Sequence, residues 1–314
     1  MQDRSFLGYL AVVGAALMWA SSGTLSKALF VSGTGPLELV QVRVTFASMG
    51  LGIVLLLADR ELLRIRARDL MLMALLGGVG MALVQSTYYY SISKINVMAA
   101  ILIQYLGPVI VGLYSIAFWG ERLTAPKSIS LLLAVGGCYL VAGGYNLALL
   151  ELNRIGVLVA LAAAFCFAAY SLLGERAMHR YSPWTVTFYS FLFAAVTWHL
   201  LIPPFHYLQG SYGLREWLCI AYIVVVGTIA PFGLYFVGVN YVRATRASIT
   251  ATLEPIAAGL MAFGFLGETM EPLQLLGAGF TISAIVLLQL NKEQDMMTPE
   301  LVRSRSEQDG GYPS

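Results

Sequence analysis

Apolar residues in this chain neither alternate nor keep to one helical face. They fill whole stretches of about 20 residues, the length a helix needs to cross a bilayer core. Ten such runs lie between charged or turn-rich breaks, near 6–29, 36–58, 69–91, 96–117, 127–144, 154–174, 184–203, 217–240, 246–266 and 272–290. A membrane barrel would instead show short alternating segments. The pattern therefore predicts an all-α integral membrane protein with ten transmembrane helices. The first run is too long for a signal-peptide core and is read as a retained helix.

Composition agrees. The 314 residues are 58% hydrophobic and 11% charged, with mean hydropathy +0.75. A soluble domain carries roughly 25% charge. Too few charges remain to cover a water-soluble enzyme, and a disordered chain or a secreted disulfide scaffold is equally excluded. The three cysteines, Cys138, Cys166 and Cys219, fall inside apolar runs and read as small hydrophobes. A net charge of +2 points to no nucleic acid.

Lysine and arginine in the short loops set the orientation. Fourteen fall on one side and three on the other, Lys94, Arg154 and Arg215. Lys27 and Arg43 lie within apolar runs. The bias places both termini in the cytoplasm of a multi-pass protein of the cell membrane. The segment 291–314 turns polar and reads as a flexible cytoplasmic tail.

Shifting the chain against itself by 147 residues overlays Leu106–Glu121 on Leu253–Glu268 with seven identities in sixteen positions, including Pro108/Pro255, Gly112/Gly259, Gly120/Gly267 and Glu121/Glu268. The same register pairs Tyr88 with Tyr235 and Pro36 with Pro183. Two repeats follow, 6–146 and 153–290, each of five spans. Five is odd, so the second copy enters the membrane from the opposite side, which would put Glu121 and Glu268 on opposite faces. Inverted repeats with sites at their interface are a recurrent build of secondary transporters.

Ten spans in two halves, each ending with Pro and then Gly-Glu, resemble the drug/metabolite transporter superfamily, EamA type. The matching stretches are Tyr105–Pro108 through Gly120–Leu123, Leu253–Pro255 through Gly267-Glu268, and the Pro36–Arg43 start of span two. The resemblance implies transport of amino acids, other metabolites or drugs, mostly outward, and leaves the substrate open.

Pro108 and Pro255 interrupt spans four and nine at equivalent depths. Each frees the carbonyl four residues earlier, at Gln104 and Ala251. Within a membrane, such carbonyls are tolerated only where protein or a water-filled cavity satisfies them. Both breaks therefore point at the repeat interface. Glu254 adjoins one of them near mid-span, where a carboxylate is costly. It reads as binding a substrate amine or carrying a coupled proton, or else as a structural partner of Arg43 or Lys27. Arg43 reads first as an internal ion pair, with Glu38 a candidate, and second as the holder of a substrate carboxylate. Lys27 is placed to snorkel. Trp19 sits too deep for an interfacial belt, and Ser22 shares its face. With Tyr89, Gln104, Tyr105, Tyr170, Tyr235 and Thr250, these residues form the expected substrate-binding set at an aromatic, moderately polar midplane.

There is no phosphate loop, no H-E-x-x-H and no Cys/His cluster. The chain reads as a non-enzyme with no cofactor and no metal. Its expected partners are a small-molecule substrate and the lipid bilayer, and a monomer is the expected state. The leading functional reading is an alternating-access carrier exporting amino acids or related small metabolites. A membrane-embedded lipid-handling protein (scramblase or enzyme) or a channel is the alternative.

Overall fold

The computed structural model describes residues 4–31, 33–95, 97–122, 124–141, 143–145, 154–202, 212–266, 271–290 and 297–308. Among these the chain is helical, with no strand. Eight helices are long and apolar enough to span a membrane, and Ala125–Val141 is a shorter apolar helix. The seventh of them, Leu214–Ala251, runs for 38 residues. At about 1.5 Å per residue that is nearly twice the hydrocarbon thickness. It is divided at Arg243, whose φ of 70° and ψ of 161° are not helical. The part after Arg243 continues into Leu253–Leu266 as a separate leg, so the expected ten legs are present.

In the first half these legs are α1 (Ser5–Val31), α2 (Pro36–Ala58), α3 and α4 (Leu70–Ala74 and Ala82–Lys94), α5 and α6 (Val97–Gln104 and Gly107–Trp119) and α7 (Ala125–Val141). In the second half they are α8 (Arg154–Met178), α9 (Pro183–Leu201), α10 and α11 (Leu214–Val224 and Ala230–Ala251), α12 (Leu253–Leu266) and α13 (Pro272–Leu290). Prolines open α2, α9 and α13, where the missing N–H removes no helical bond.

The irregularities repeat with the sequence. A π-helical turn, Leu75–Met81, joins α3 to α4, and another, Val225–Ile229, joins α10 to α11. The helix breaks at Tyr105-Leu106 and again at Thr252, 147 residues after Tyr105. Packing repeats as well. α1 lies along α11 and α12, as α8 lies along α4, α5 and α6; α2 pairs with α9, and α7 with α13. Exchanging the two halves leaves this set of pairs unchanged, as a two-fold relation between the repeats requires.

Helix pairs in lipid gain little from hydrophobicity and depend on close approach at small residues. The α7–α13 pair shows this most clearly. A Cβ on Gly137 would collide with Thr281 Oγ1 and stand 2.7 Å from the Gly277 carbonyl oxygen. At the end of α6, Gly120 adopts φ 64°, and the amide of Glu121 donates to the Ser115 carbonyl at 3.1 Å. This left-handed cap explains the glycine of the repeated Gly-Glu motif. Glu268 lies outside the described residues, and with it the expected placement of the two glutamates on opposite faces.

The polar tail departs from expectation. Residues Pro299–Gln308 form a helix, α14, docked on α8 and α11. Thr298, Pro299 and Glu300 supply an N-cap residue, a proline at the first position and an acid in the first turn. Arg303 Nη1 donates to the carbonyls of Met178 at 2.8 Å and Tyr181 at 3.0 Å, which lie where α8 ends and lacks acceptor partners. Glu300 pairs with Arg4 at 2.9 Å. Polarity alone suggested disorder, but these contacts hold the segment.

Replacing Gly137 with alanine should cost about 1–3 kcal/mol, because the added methyl meets backbone and cannot be relieved by a rotamer change. Thermal unfolding in detergent should show a lower midpoint for Gly137→Ala. An unchanged midpoint would contradict the close α7–α13 contact.

Candidate functional site: a two-charge cavity between the repeats

A cavity of about 740 Å³ of empty space, part of it open to solvent, lies between the two halves. The first half supplies Trp19, Ser22 and Gly23 from α1, Arg43 from α2, and Val84, Gln85, Tyr88 and Tyr89 from α4. Ile101, Gln104 and Tyr105 come from α5 and the break after it. The second half supplies Phe167, Phe232, Ala251 and Glu254. The lining, mostly aromatic and apolar with a few convergent polar groups, is the make-up of a small-molecule site.

Two prolines shape the polar wall. Pro255 displaces the carbonyl of Ala251, which accepts from Tyr105 Oη at 3.0 Å. The same hydroxyl contacts Glu254 Oε2 at 2.8 Å. Pro231, at the start of α11, stands four residues after Gly227 in the π-helical turn. The Gly227 carbonyl is turned to Arg43 Nη2 at 2.7 Å. In both cases a carbonyl freed in the second half is taken by a side chain from the first.

Arg43 is buried, with 3% of its surface exposed. Its Nε donates to Thr228 Oγ1 at 2.9 Å, and Nη1 donates to Tyr89 Oη. These acceptors are neutral. The expected ion pair with Glu38 is not formed. Glu38 lies at the start of α2, where Oε2 accepts from the Gly35 amide at 3.3 Å and from Tyr212 at 3.4 Å. A five-residue spacing turns the two side chains to different faces of the helix. Glu254 has no cation within ion-pair distance among the described residues, so it is not the structural partner of Arg43.

The expected binding residues divide. Trp19, Ser22, Tyr89, Gln104, Tyr105 and Glu254 line the cavity, with Arg43. Trp19 Nε1 has no hydrogen-bond partner among the described residues. Tyr170, Tyr235 and Thr250 do not line it, which corrects the sequence reading. Tyr170 is fully buried and stacked on Phe236 at 4.7 Å. Tyr235 is also fully buried; its hydroxyl meets Ser171 Oγ at 2.7 Å, and its ring backs Trp19 at 5.6 Å. Thr250 Oγ1 bonds the Arg246 carbonyl of its own helix at 2.8 Å. All three are packed one layer behind the wall, where the Tyr170 hydroxyl has no hydrogen-bond partner among the described residues. The side chain of Lys27 lies outside the described residues. Pro108 and Pro255 are both buried at their breaks.

The sequence reading missed Phe167 and Phe232, which look like ordinary core residues, and Pro231, whose place four after Gly227 was a usable signal. It also missed a second polar layer. Loops carrying the basic excess meet at one end of the bundle: Arg180 and Tyr181 both reach Asp69, and Arg4 and Arg303 hold α14. There, Glu121 pairs with Lys127 at 2.8 Å and with Arg243 at 3.6 Å. Arg243 Nε also donates to Glu175 Oε1 at 2.9 Å, while the Ala244 amide donates to Glu175 Oε2 at 2.6 Å. The cluster joins both halves across the seam. Burial, and then the nearby Arg243, Arg176, Arg180 and Arg303, hold the His179 imidazole below its ordinary pKa.

A cavity walled by two matched halves of a helical membrane protein, with an ion-pair cluster across the same seam, defines a membrane transporter. The comparisons agree. The EamA-like transporter family model matches residues 6–143 and again 154–290, and the chain belongs to that family. The chain is 30% identical over 202 residues to an uncharacterized transporter of Archaeoglobus fulgidus, covering 64% of this chain and 70% of that one. It is 26% identical to the uncharacterized inner membrane transporter YicL of Salmonella typhimurium, over 91% and 96% of the two chains. It is 27% identical to the threonine/homoserine exporter RhtA of Escherichia coli, over 88% and 90%. A solved crystal structure superposes with a TM-score of 0.75 at 17% identity, covering 90% of this chain and 96% of the other.

Arg243 occupies a backbone region that costs a non-glycine residue about 1–3 kcal/mol. Its side chain offsets this by pairing two buried carboxylates. Arg243→Ala should therefore destabilise by about 3–5 kcal/mol. Arg243→Gly loses the same pairs but relieves the backbone, so the order of thermal midpoints should be wild type, then Gly, then Ala. Alanine at or above glycine would remove strain from this account.

Proposed function

We propose that the chain is an alternating-access secondary transporter that exports amino acids or related small metabolites across the cytoplasmic membrane. The observation that carries this reading is the pairing of one cavity, walled by both repeats, with one ion cluster that closes the same seam at the basic end. Two halves of equivalent build can exchange conformations, and the exchange would move the opening from one side to the other. The closed seam favours a carrier over a channel, whose path must run through. The name of RhtA supports amino acids as the first solutes to test. The 14-to-3 bias supports the basic end, with both termini, on the cytoplasmic side.

The purified chain in liposomes should move labelled amino acids, screened with and without a proton gradient. No flux of any small metabolite under either condition would overturn the reading. Sidedness has its own check. Arg64 is exposed at the basic end, so in intact cells Arg64→Cys should resist a membrane-impermeant thiol reagent and react after permeabilisation.

Glu254→Gln keeps the side chain's shape and its contact with Tyr105. With no paired cation to abandon among the described residues, the variant should unfold within a few degrees of wild type. Its flux should fall or lose pH dependence, because the charge and the titration are gone. Unchanged flux with unchanged pH dependence would remove Glu254 from the mechanism.

A further inference from the structure

Buried charges here are handled in two ways. At the basic end the buried carboxylates are matched: Glu121 by Lys127 and Arg243, Glu175 by Arg243, and Asp69 by Arg180. In the cavity neither charge is matched. Arg43 is held by a hydroxyl, a phenol and a carbonyl, and Glu254 by a phenol. Neither has an oppositely charged group within ion-pair distance among the described residues, yet both line the same space. A guanidinium carries five N–H donors. Three are used, which leaves two in its planar fork.

We propose that Arg43 and Glu254 form a two-ended clamp for a zwitterion, with Arg43 receiving the solute's carboxylate and Glu254 its ammonium group. The proposal rests on the transporter reading for its purpose and adds the rule of selection. A solute lacking either charge leaves one buried protein charge without a counter-ion. Such an unpaired buried charge is what a site rejects most strongly. An isolated buried cation is expensive to keep, and a carboxylate brought by the solute would offset that cost. Between the two ends, Trp19, Tyr88 and Phe232 offer aromatic surface for the solute's side chain, and the free Trp19 N–H offers one donor. Arg43 is thus a specificity-determining residue for the head group, while the aromatic wall accepts varied side chains.

The test measures binding by thermal stabilisation of the purified full chain in detergent, with no gradient and no flux. The probes are matched trios: L-leucine, isoamylamine and 4-methylpentanoate; L-threonine, 1-amino-2-propanol and 3-hydroxybutanoate; L-phenylalanine, phenethylamine and 3-phenylpropanoate. Wild type should be stabilised by the amino acid of at least one trio and bind its amine and its acid more weakly by about tenfold or more, the factor set by one charge-assisted hydrogen bond. Arg43→Gln should shift preference toward the amine, and Glu254→Gln toward the acid, each by about tenfold relative to the amino acid. Arg43→Lys keeps the charge without the fork and should bind the amino acid with intermediate strength, which keeps the test decisive if Arg43→Gln does not fold. Equal binding within the trios by wild type, no binding by any probe, or equal weakening of all three members in the Arg43 variants would overturn the clamp. Zwitterion-selective binding without liposome flux would instead overturn the carrier and leave the clamp standing. Flux that accepts amines as readily as amino acids would do the reverse.

Discussion

A helix broken inside a membrane exposes a carbonyl that no water is present to satisfy, and the geometry of this cavity follows from how that debt is settled. Pro255 and Pro231 each displace a carbonyl in the second half, at Ala251 and Gly227. Each carbonyl is met from the first half, by Tyr105 and Arg43. The two repeats are joined at their seam by backbone groups that neither could satisfy alone. Irregular backbone lines the cavity because it can be tolerated there, and the two charges stand beside it for the same reason.

The same seam is closed elsewhere by charge. Glu121 belongs to the first half, and Arg243 and Glu175 to the second, so their pairing ties the repeats at the basic end. Arg243 is also the residue at which the chain turns from one leg to the next. Backbone strain and ion pairing therefore meet in one residue, at the end of the cavity wall that α11 provides. A rearrangement that opened this end would have to separate carboxylates from their cations, and the released groups would need water. Opening and hydration are thereby coupled, and in lipid the closed cluster is the low-energy arrangement. The docked α14 adds to this end, since Arg303 bonds the end of α8 and Asn240 of α11, the two helices between which Glu175 and Arg243 meet.

The sequence by itself determined the class, the number of legs and the repeat. Those rest on composition and on a 147-residue register, which are properties of the chain and survive any packing. It also located the breaks at Pro108 and Pro255 and the charge at Glu254, because proline geometry and the cost of a buried carboxylate are local facts. Tertiary structure alone decided which polar groups face one another. Trp19, Ser22, Tyr89, Gln104 and Tyr105 share a cavity, whereas Tyr170, Tyr235 and Thr250, equally polar and equally deep, are turned away. The direction of a side chain around a helix depends on which neighbour that helix meets, and long apolar runs carry little facial asymmetry to predict it. Arg43 shows the limit most clearly. Its sequence neighbours suggested an ion pair with Glu38, but its partners come from residues 46, 184 and 185 positions away. The charge was visible from the sequence, and only the fold left it without a carboxylate among the described residues.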